Sequence, residues 1–190
     1  MLQKIVREEN PKYMVMAFDM GGKTHRHREY PDYKATRPPI PEDLVIQIPY
    51  IHRLTEAFNI KVEAQEGYEA DDIIGTLVLK AHKLGLDVTI VSGDKDLMQL
   101  IRPGIKMYDS MKDKVFTSED VQEKFGVTPE LVVEAMGLIG DNTDNIPGVP
   151  GIGPKTAAEL IKQFGSIENL LENIDKIEKE KIRKLLRENA

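Results

Sequence analysis

The 190-residue sequence contains no cysteine at all. That excludes disulfides and thiolate metal sites and fits an intracellular, cytoplasmic chain. It also lacks any apolar run of the roughly 18 residues or more that spans a bilayer, so no membrane partner is expected. A charged start followed by an apolar stretch is missing too, which argues against a secretory signal. Histidines are few, at 25, 27, 52 and 82. Cations are outnumbered, 26 Lys and Arg against 32 Asp and Glu, giving a formal net charge of −6. Proteins that coat DNA are usually basic throughout, so that class is disfavoured. What remains is 41% hydrophobic and 31% charged, enough for a real core in one domain or in one domain with a small appendage.

Distribution says more than the totals. Lys23-Thr24-His25-Arg26-His27-Arg28, with Lys34 and Arg37 beyond it, is locally basic, whereas acidic residues collect at the ends of apolar segments. A basic strip can grip phosphate while an acidic pocket holds cations.

Residues 1–9 have helical spacing and stop before Pro11. The apolar run 13–18, bounded by Pro11 and Gly21-Gly22, predicts a buried strand. Pro38, Pro39 and Pro41 forbid a continuous helix there; Leu44, Ile48, Ile51, Leu54 and Phe58 then keep a helical period, with a kink expected at Pro49. Residues 60–63 predict a strand, 70–84 a helix closed by Gly85, 86–91 a strand followed by a short helix, and 105–108 another strand. This alternation points to an α/β fold with a parallel twisted sheet flanked by helices. After about Val115 no strand pattern is expected, and 118–125, 129–138, 154–164 and 174–187 all predict helices. Thr128-Pro129 makes a good start and Gly165 a good stop. The domains expected are therefore 1–115, α/β, and 116–190, all helical.

The carboxylates have a pattern of their own. Asp19 follows the first strand; Glu69, Asp71 and Asp72 open a helix; Asp94 and Asp96 follow a strand; Asp141 and Asp144 follow a helix. In an open parallel sheet the carboxyl ends of the strands share one edge, where ligands bind, so these groups are expected to gather there. Clustered carboxylates repel, and divalent cations are the usual remedy. An all-oxygen set suits Mg²⁺ or Mn²⁺, and two such ions about 4 Å apart would serve phosphodiester hydrolysis. Each aspartate, taken alone, reads more readily as a helix cap than as a ligand. Capping becomes a weaker explanation when separate segments repeat it and carry more carboxylates than caps require.

Between two helices lies Gly148-Val149-Pro150-Gly151-Ile152-Gly153-Pro154-Lys155-Thr156. Its glycines let backbone approach a ligand, and the helix starting at Pro154 offers free N–H groups to phosphate, with Lys155 adding charge. An ordinary helix–turn–helix corner is the plainer reading. The run is not a Walker motif, since Pro154 stands where the second glycine would be. In Tyr33-Lys34-Ala35-Thr36-Arg37, the cations Lys34 and Arg37 could steer and polarise a phosphodiester, and Tyr33 could stack on a base or simply pack. Phe18-Asp19-Met20-Gly21 invites comparison with haloacid dehalogenase phosphatases, but Gly21 stands where that chemistry needs a second aspartate.

Taken in order, Ala17-Phe18-Asp19, Tyr33-Lys34-Ala35-Thr36-Arg37-Pro38-Pro39, Gly67-Tyr68-Glu69-Ala70-Asp71-Asp72, Ser92-Gly93-Asp94-Lys95-Asp96, Gly140-Asp141-Asn142-Thr143-Asp144-Asn145 and the run from Ile146 to Lys155 resemble the motifs of the 5′-nuclease (5′-3′ exonuclease) domain of bacterial family-A DNA polymerase I. Flap endonucleases are more distant relatives. The resemblance implies a 5′-3′ exonuclease and flap endonuclease acting on DNA with a 5′ flap or 5′ end. It implies two divalent cations, with Asp19, Glu69, Asp71, Asp72, Asp94 and Asp96 as one set of metal ligands and Asp141 and Asp144 as the second. It implies that Lys34 and Arg37 belong to an arch or clamp over the 5′ strand. It implies that Gly148, Val149, Gly151, Ile152, Gly153, Lys155 and Thr156 belong to a helix–three-turn–helix that grips duplex backbone, often with K⁺ bound. A polymerase domain, fused or separate, is the partner implied, and the nuclease is expected to act as a monomer.

Members of that family begin with a strand bearing a further metal-binding aspartate, which this sequence does not contain. It is therefore expected to be a fragment or a shortened relative, with an unfilled slot or unpaired edges in its sheet. The alternative to a nuclease is a module that binds branched DNA and cuts it slowly or not at all.

Overall fold

The computed structural model describes residues 1–189. The chain folds as two compact units, Met1–Pro31 with Arg37–Lys80, and Asp32–Thr36 with the chain from Ala81 onward.

In the first unit, α1 (Leu2–Glu9) buries Ile5 and ends at Asn10, whose φ of 40° is the left-handed geometry that asparagine tolerates. Pro11 follows and cannot continue the helix. Strand β1 (Val15–Ala17) pairs in parallel with β2 (Lys61–Glu63), Met16 opposite Val62. A parallel pair needs a crossover, and α2 (His25–Glu29) and α3 (Glu42–Ala57) lie within it. The basic run is thus partly helical, and it starts cleanly because the His27 ring nitrogen accepts the Thr24 N–H at 3.1 Å. Helix α3 passes through Pro49 as one element. Pro49 leaves the Val45 carbonyl without an intrahelical donor, and Val45 is half exposed, so water can serve that carbonyl. Leu44, Val45, Ile46, Ile48, Tyr50, Ile51 and Leu54 are all substantially exposed on this helix. Helix α4 (Ala70–Lys83) follows β2 and is closed by Gly85 at φ 75°.

The second unit begins with β3 (Val88–Val91), parallel to β4 (Ile105–Asp109) with Ile90 opposite Met107. Strand β5 (Lys114–Phe116) then pairs antiparallel with β4. The turn between them is set by buried Asp109, whose carboxylate accepts the N–H groups of Met111 and Lys112. The strands therefore divide between a two-stranded parallel sheet and a three-stranded mixed one.

Helices α5 (Ser118–Phe125), α6 (Val132–Ile139), α7 (Pro154–Phe164), α8 (Ile167–Glu172) and α9 (Glu180–Asn189) complete the unit. A strand-free second half does not hold: β6 (Gly140–Asp141) and β7 (Ile146–Pro147) form a short antiparallel ladder. Two-residue strands are too short to leave a periodic trace. The helix expected over 174–187 is also broken. A 3₁₀ turn at Ile174–Lys176 precedes α9, and α8 was not expected at all, although Ser166 caps it by accepting the Asn169 N–H. The core of this unit is tightly closed, with Met98, Met107, Val121, Val132, Ile161, Leu170 and Leu186 each under 2% exposed.

Candidate functional site

Each unit carries its own group of carboxylates. In the first unit the group surrounds the start of α4. Asp19, just past β1, accepts the Ala70 N–H at 2.8 Å, and Asp72 accepts the Glu69 N–H at 2.9 Å. Both thus satisfy N–H groups that no intrahelical carbonyl can reach. The plainer reading of these aspartates as caps is correct as far as it goes. Asp72 does more, because Arg26 from α2 grips it through both guanidinium nitrogens at 2.8 and 2.7 Å, with Glu69 3.9 Å from the same cation. That pair lowers the Asp72 pKa, chiefly through the Arg26 hydrogen bonds, against the opposing effect of burial. Asp71 is half-buried in the first turn of the same helix. Arg37 belongs to this unit and is exposed.

In the second unit the group is built on the turn after β3. Asp94 caps the 3₁₀ turn Lys95–Leu100 by accepting the Asp96 N–H at 2.9 Å. The Lys95 ammonium reaches across to Asp141 on β6 at 2.6 Å and stands 3.4 Å from Asp96. The Oδ1 of Asp96 is buried and has no hydrogen bond among the described residues. Burial pushes the Asp96 carboxyl up, and the charges of Asp94 and Asp141 add to that, while Lys95 opposes it. For Asp141, burial also pushes upward, but the Lys95 hydrogen bond and the Thr143 and Asp144 N–H groups win, and its pKa is lowered. The Lys95 pKa is raised: burial works against its charge, and the hydrogen bond to Asp141 with the charges of Asp96 and Asp141 overcome it.

Asp144 lies on the turn between β6 and β7. It accepts the Tyr33 hydroxyl at 2.9 Å, lies 4.0 Å from the Lys34 ammonium, and its carbonyl takes the Lys34 N–H at 2.8 Å. Tyr33 is only 5% exposed, and the Lys34 ammonium lies 4.8 Å from the centre of its ring. Its observed role is therefore the packing alternative. Lys34 itself holds a φ of 57°.

No three of the acidic or histidine side chains among the described residues stand in a ready-made metal-binding group. In each unit a cation from the protein lies among the carboxylates, Arg26 in one and Lys95 in the other. The donor chemistry nonetheless suits a hard divalent ion, being all oxygen. The buried Asp96 Oδ1 is met by the Lys95 ammonium at 3.4 Å.

The glycine-rich run joins β7 to α7. Gly148 is forced by crowding, since a Cβ there would lie 2.2 Å from the Ile139 carbonyl group. Gly151 has φ 88° and needs glycine for that reason. Gly153 precedes Pro154 with open space around it, and Lys155 is exposed. Ile152, in contrast, is buried at 4% exposure and braces the turn from within. Val149 is tied back through its N–H to the Leu138 carbonyl at 2.8 Å, and Thr156 is half-buried on the first turn of α7.

Arg26 and Lys95 were missed as site residues. The trace of Lys95 was its position between Asp94 and Asp96; that of Arg26 was a helix start at Thr24 inside a basic run.

No helix among the described residues is long and apolar enough to cross a membrane. Residues 1–126 match the family model described as the 5′-3′ exonuclease N-terminal resolvase-like domain, and 127–190 match the 5′-3′ exonuclease C-terminal SAM fold. DNA polymerase I of Bacillus caldotenax is 46% identical over 193 residues, covering 100% of this chain and 22% of that protein. The 5′-3′ exonuclease of Aquifex aeolicus is 43% identical over 180 residues, covering 95% of this chain and 62% of its own length. The chain thus spans about a fifth of the polymerase relatives and less than two thirds of that exonuclease. In fold it resembles the T5 D15 protein co-crystallised with metal ions, with a TM-score of 0.84 at 23% identity over 98% of this chain and 74% of that one. A further T5 5′-exonuclease structure holds divalent metal ions, in that case zinc. With both family models lying end to end along it, the chain belongs to the 5′-3′ exonuclease family.

Proposed function

We propose that this chain is the nuclease part of an enzyme that hydrolyses DNA phosphodiester bonds as a 5′-3′ exonuclease and flap endonuclease. The observation carrying the proposal is that Asp96 and Asp141 share one Lys95 ammonium, at 3.4 and 2.6 Å, with the charge of Asp94 beside them. Several carboxylates gathered on one monovalent cation stay under-compensated, and a divalent ion answers that charge. Asp94, Asp96, Asp141 and Asp144 would hold one Mg²⁺ or Mn²⁺ in the second unit; Asp19, Glu69, Asp71 and Asp72 would hold another in the first. Such ions, when bound, lower the pKa of water and offset charge on the leaving oxygen.

The chain's own residues supply the rest. Lys34 and Arg37 carry the positive charge that positions the phosphodiester, and Tyr33 holds Asp144 through its hydroxyl while the Lys34 ammonium lies over its ring. From about Phe116 onward, the helical part holds the duplex through Gly148, Gly151, Gly153, Lys155 and Thr156. There the N–H groups at the start of α7 favour a phosphate, and K⁺ at this turn belongs to the same proposal. DNA with a 5′ flap or 5′ end is the substrate, a polymerase domain is the partner, and the nuclease works as a monomer.

One observation favours a second reading, binding without efficient cleavage: Arg26 and Lys95 already neutralise much of the acidic charge. The two readings separate in one assay. Labelled 5′-flap DNA and the matching 3′-flap DNA are incubated with the protein in Mg²⁺, Mn²⁺ or chelator. The nuclease reading requires metal-dependent cutting of the 5′ flap and sparing of the 3′ flap. Retained DNA binding without any metal-dependent product supports the second.

A further inference from the structure

Lys95 holds an unusual position for a cation inside an acidic group. Its backbone is pinned, because Leu97 and Met98 of the same 3₁₀ turn are buried at 4% and 1% exposure and Asp94 caps the turn. Its side chain is not enclosed: 37% of it faces solvent, while that of Asp141 is only 9% exposed. The ammonium contacts Asp141 at 2.6 Å and Asp96 at 3.4 Å, so one charge stands between two carboxylates. A lysine makes such contacts as a point charge on a flexible stem, without the fixed two-point grip of an arginine. It can therefore swing aside without moving the backbone that presents Asp96.

We infer that Lys95 is an internal stand-in for the divalent cation: its ammonium neutralises Asp96 and Asp141 until metal enters, and metal binding drives it off them into solvent. The inference rests on the reading that Asp96 and Asp141 are metal ligands. An ammonium and a divalent ion repel at contact distance, so the two cannot share these oxygens. Lys95 then does two opposing things. It lets the acidic group fold without metal, and it sets a threshold that metal must exceed. Released, it becomes a free cation beside the ions, suited to a phosphate oxygen.

The test compares full-length wild type, Lys95→Met, Lys95→Arg and Asp141→Asn by Mn²⁺ binding followed through the free-ion signal, and by thermal melting in chelator. Lys95→Met is expected to bind Mn²⁺ tighter by about tenfold, as removal of a competing charge at contact distance implies. In chelator it is expected to melt below wild type, with Mn²⁺ closing the gap, whereas Lys95→Arg restores melting without tightening metal. Amine labelling read by mass spectrometry adds a wild-type measure that no folding defect can disturb: Mg²⁺ is expected to raise modification of Lys95 relative to exposed Lys184. Unchanged or weaker Mn²⁺ binding in Lys95→Met, or Lys95 labelling indifferent to Mg²⁺, overturns the stand-in role. If Asp141→Asn binds as much Mn²⁺ as wild type, the underlying ligand reading fails instead.

Discussion

The carboxylate groups of the two units are neutralised differently. At the start of α4, Asp72 is held at both oxygens by the Arg26 guanidinium and also accepts a backbone N–H. After β3, a single lysine ammonium is shared by two carboxylates, 2.6 Å from Asp141 and 3.4 Å from the buried Oδ1 of Asp96. The first arrangement is well satisfied and rigid, because a planar guanidinium matches a carboxylate in two places. In the second, one point charge is divided between two carboxylates. An acidic cluster that has settled with its own arginine and one that shares a single ammonium are therefore not equivalent invitations to a metal. The units also differ in closure, since the second buries a full apolar core while the first leaves most of α3 exposed.

The largest effect expected from this contrast is on catalysis. Replacing Asp141 with Ala should lower the rate of 5′-flap cleavage by on the order of 10³, as removing a metal ligand does in sites of this chemistry. Single-turnover rates with saturating Mg²⁺ read it. Replacing Asp72, which is already engaged by Arg26, should lower that rate less and raise the metal concentration needed for half-maximal rate.

Next comes stability in the closed unit. Gly148→Ala would place a Cβ 2.2 Å from the Ile139 carbonyl group. Urea unfolding should show a loss of about 1–3 kcal/mol, typical of overpacking. Gly153→Ala meets nothing within 4 Å and should leave stability unchanged, which makes it the cleaner probe of phosphate contact at α7.

A smaller effect is expected for Arg26→Met. Because Arg26 and Asp72 are each partly exposed, with side chains at 33% and 24%, the loss should be about 1 kcal/mol after allowance for solvent screening. Its pH dependence has a definite sign. Arg26 lowers the Asp72 pKa in the folded chain, so the stabilisation is complete above the ordinary aspartate value of about 3.9 and fades as pH falls through the lowered one. Wild type and Arg26→Met should therefore differ at neutral pH and converge in acid.

Much of the α/β half was legible because β-branched runs and glycine stops carry local signals: residues 60–63, 70–84 and 86–91 sit where β2, α4 and β3 form. The helices at Ser118–Phe125 and Pro154–Phe164 were readable to the residue because both stop at a glycine, while Thr117 caps the start of the first and Pro154 opens the second. What escaped was short or long-range. The β6–β7 ladder is two residues wide, and α8 is a six-residue helix. The aspartates were singled out from the sequence, but not the pairing of Asp72 with Arg26 and of Asp141 with Lys95. Which cation meets which carboxylate depends on chain segments 46 positions apart in both cases. Tyr33 shows the limit from the other side. Its sequence neighbours left base stacking and packing both open, and its burial with the hydroxyl on Asp144 could not be read from them.

The central claim, that a cation on the Asp96 group drives DNA cleavage, is tested most directly by the single-turnover rate of Asp96→Ala on a 5′-flap duplex in Mn²⁺, beside wild type. A rate lower by two or more orders of magnitude, with flap binding in chelator retained, is the predicted result. Equal rates for the two proteins would contradict it.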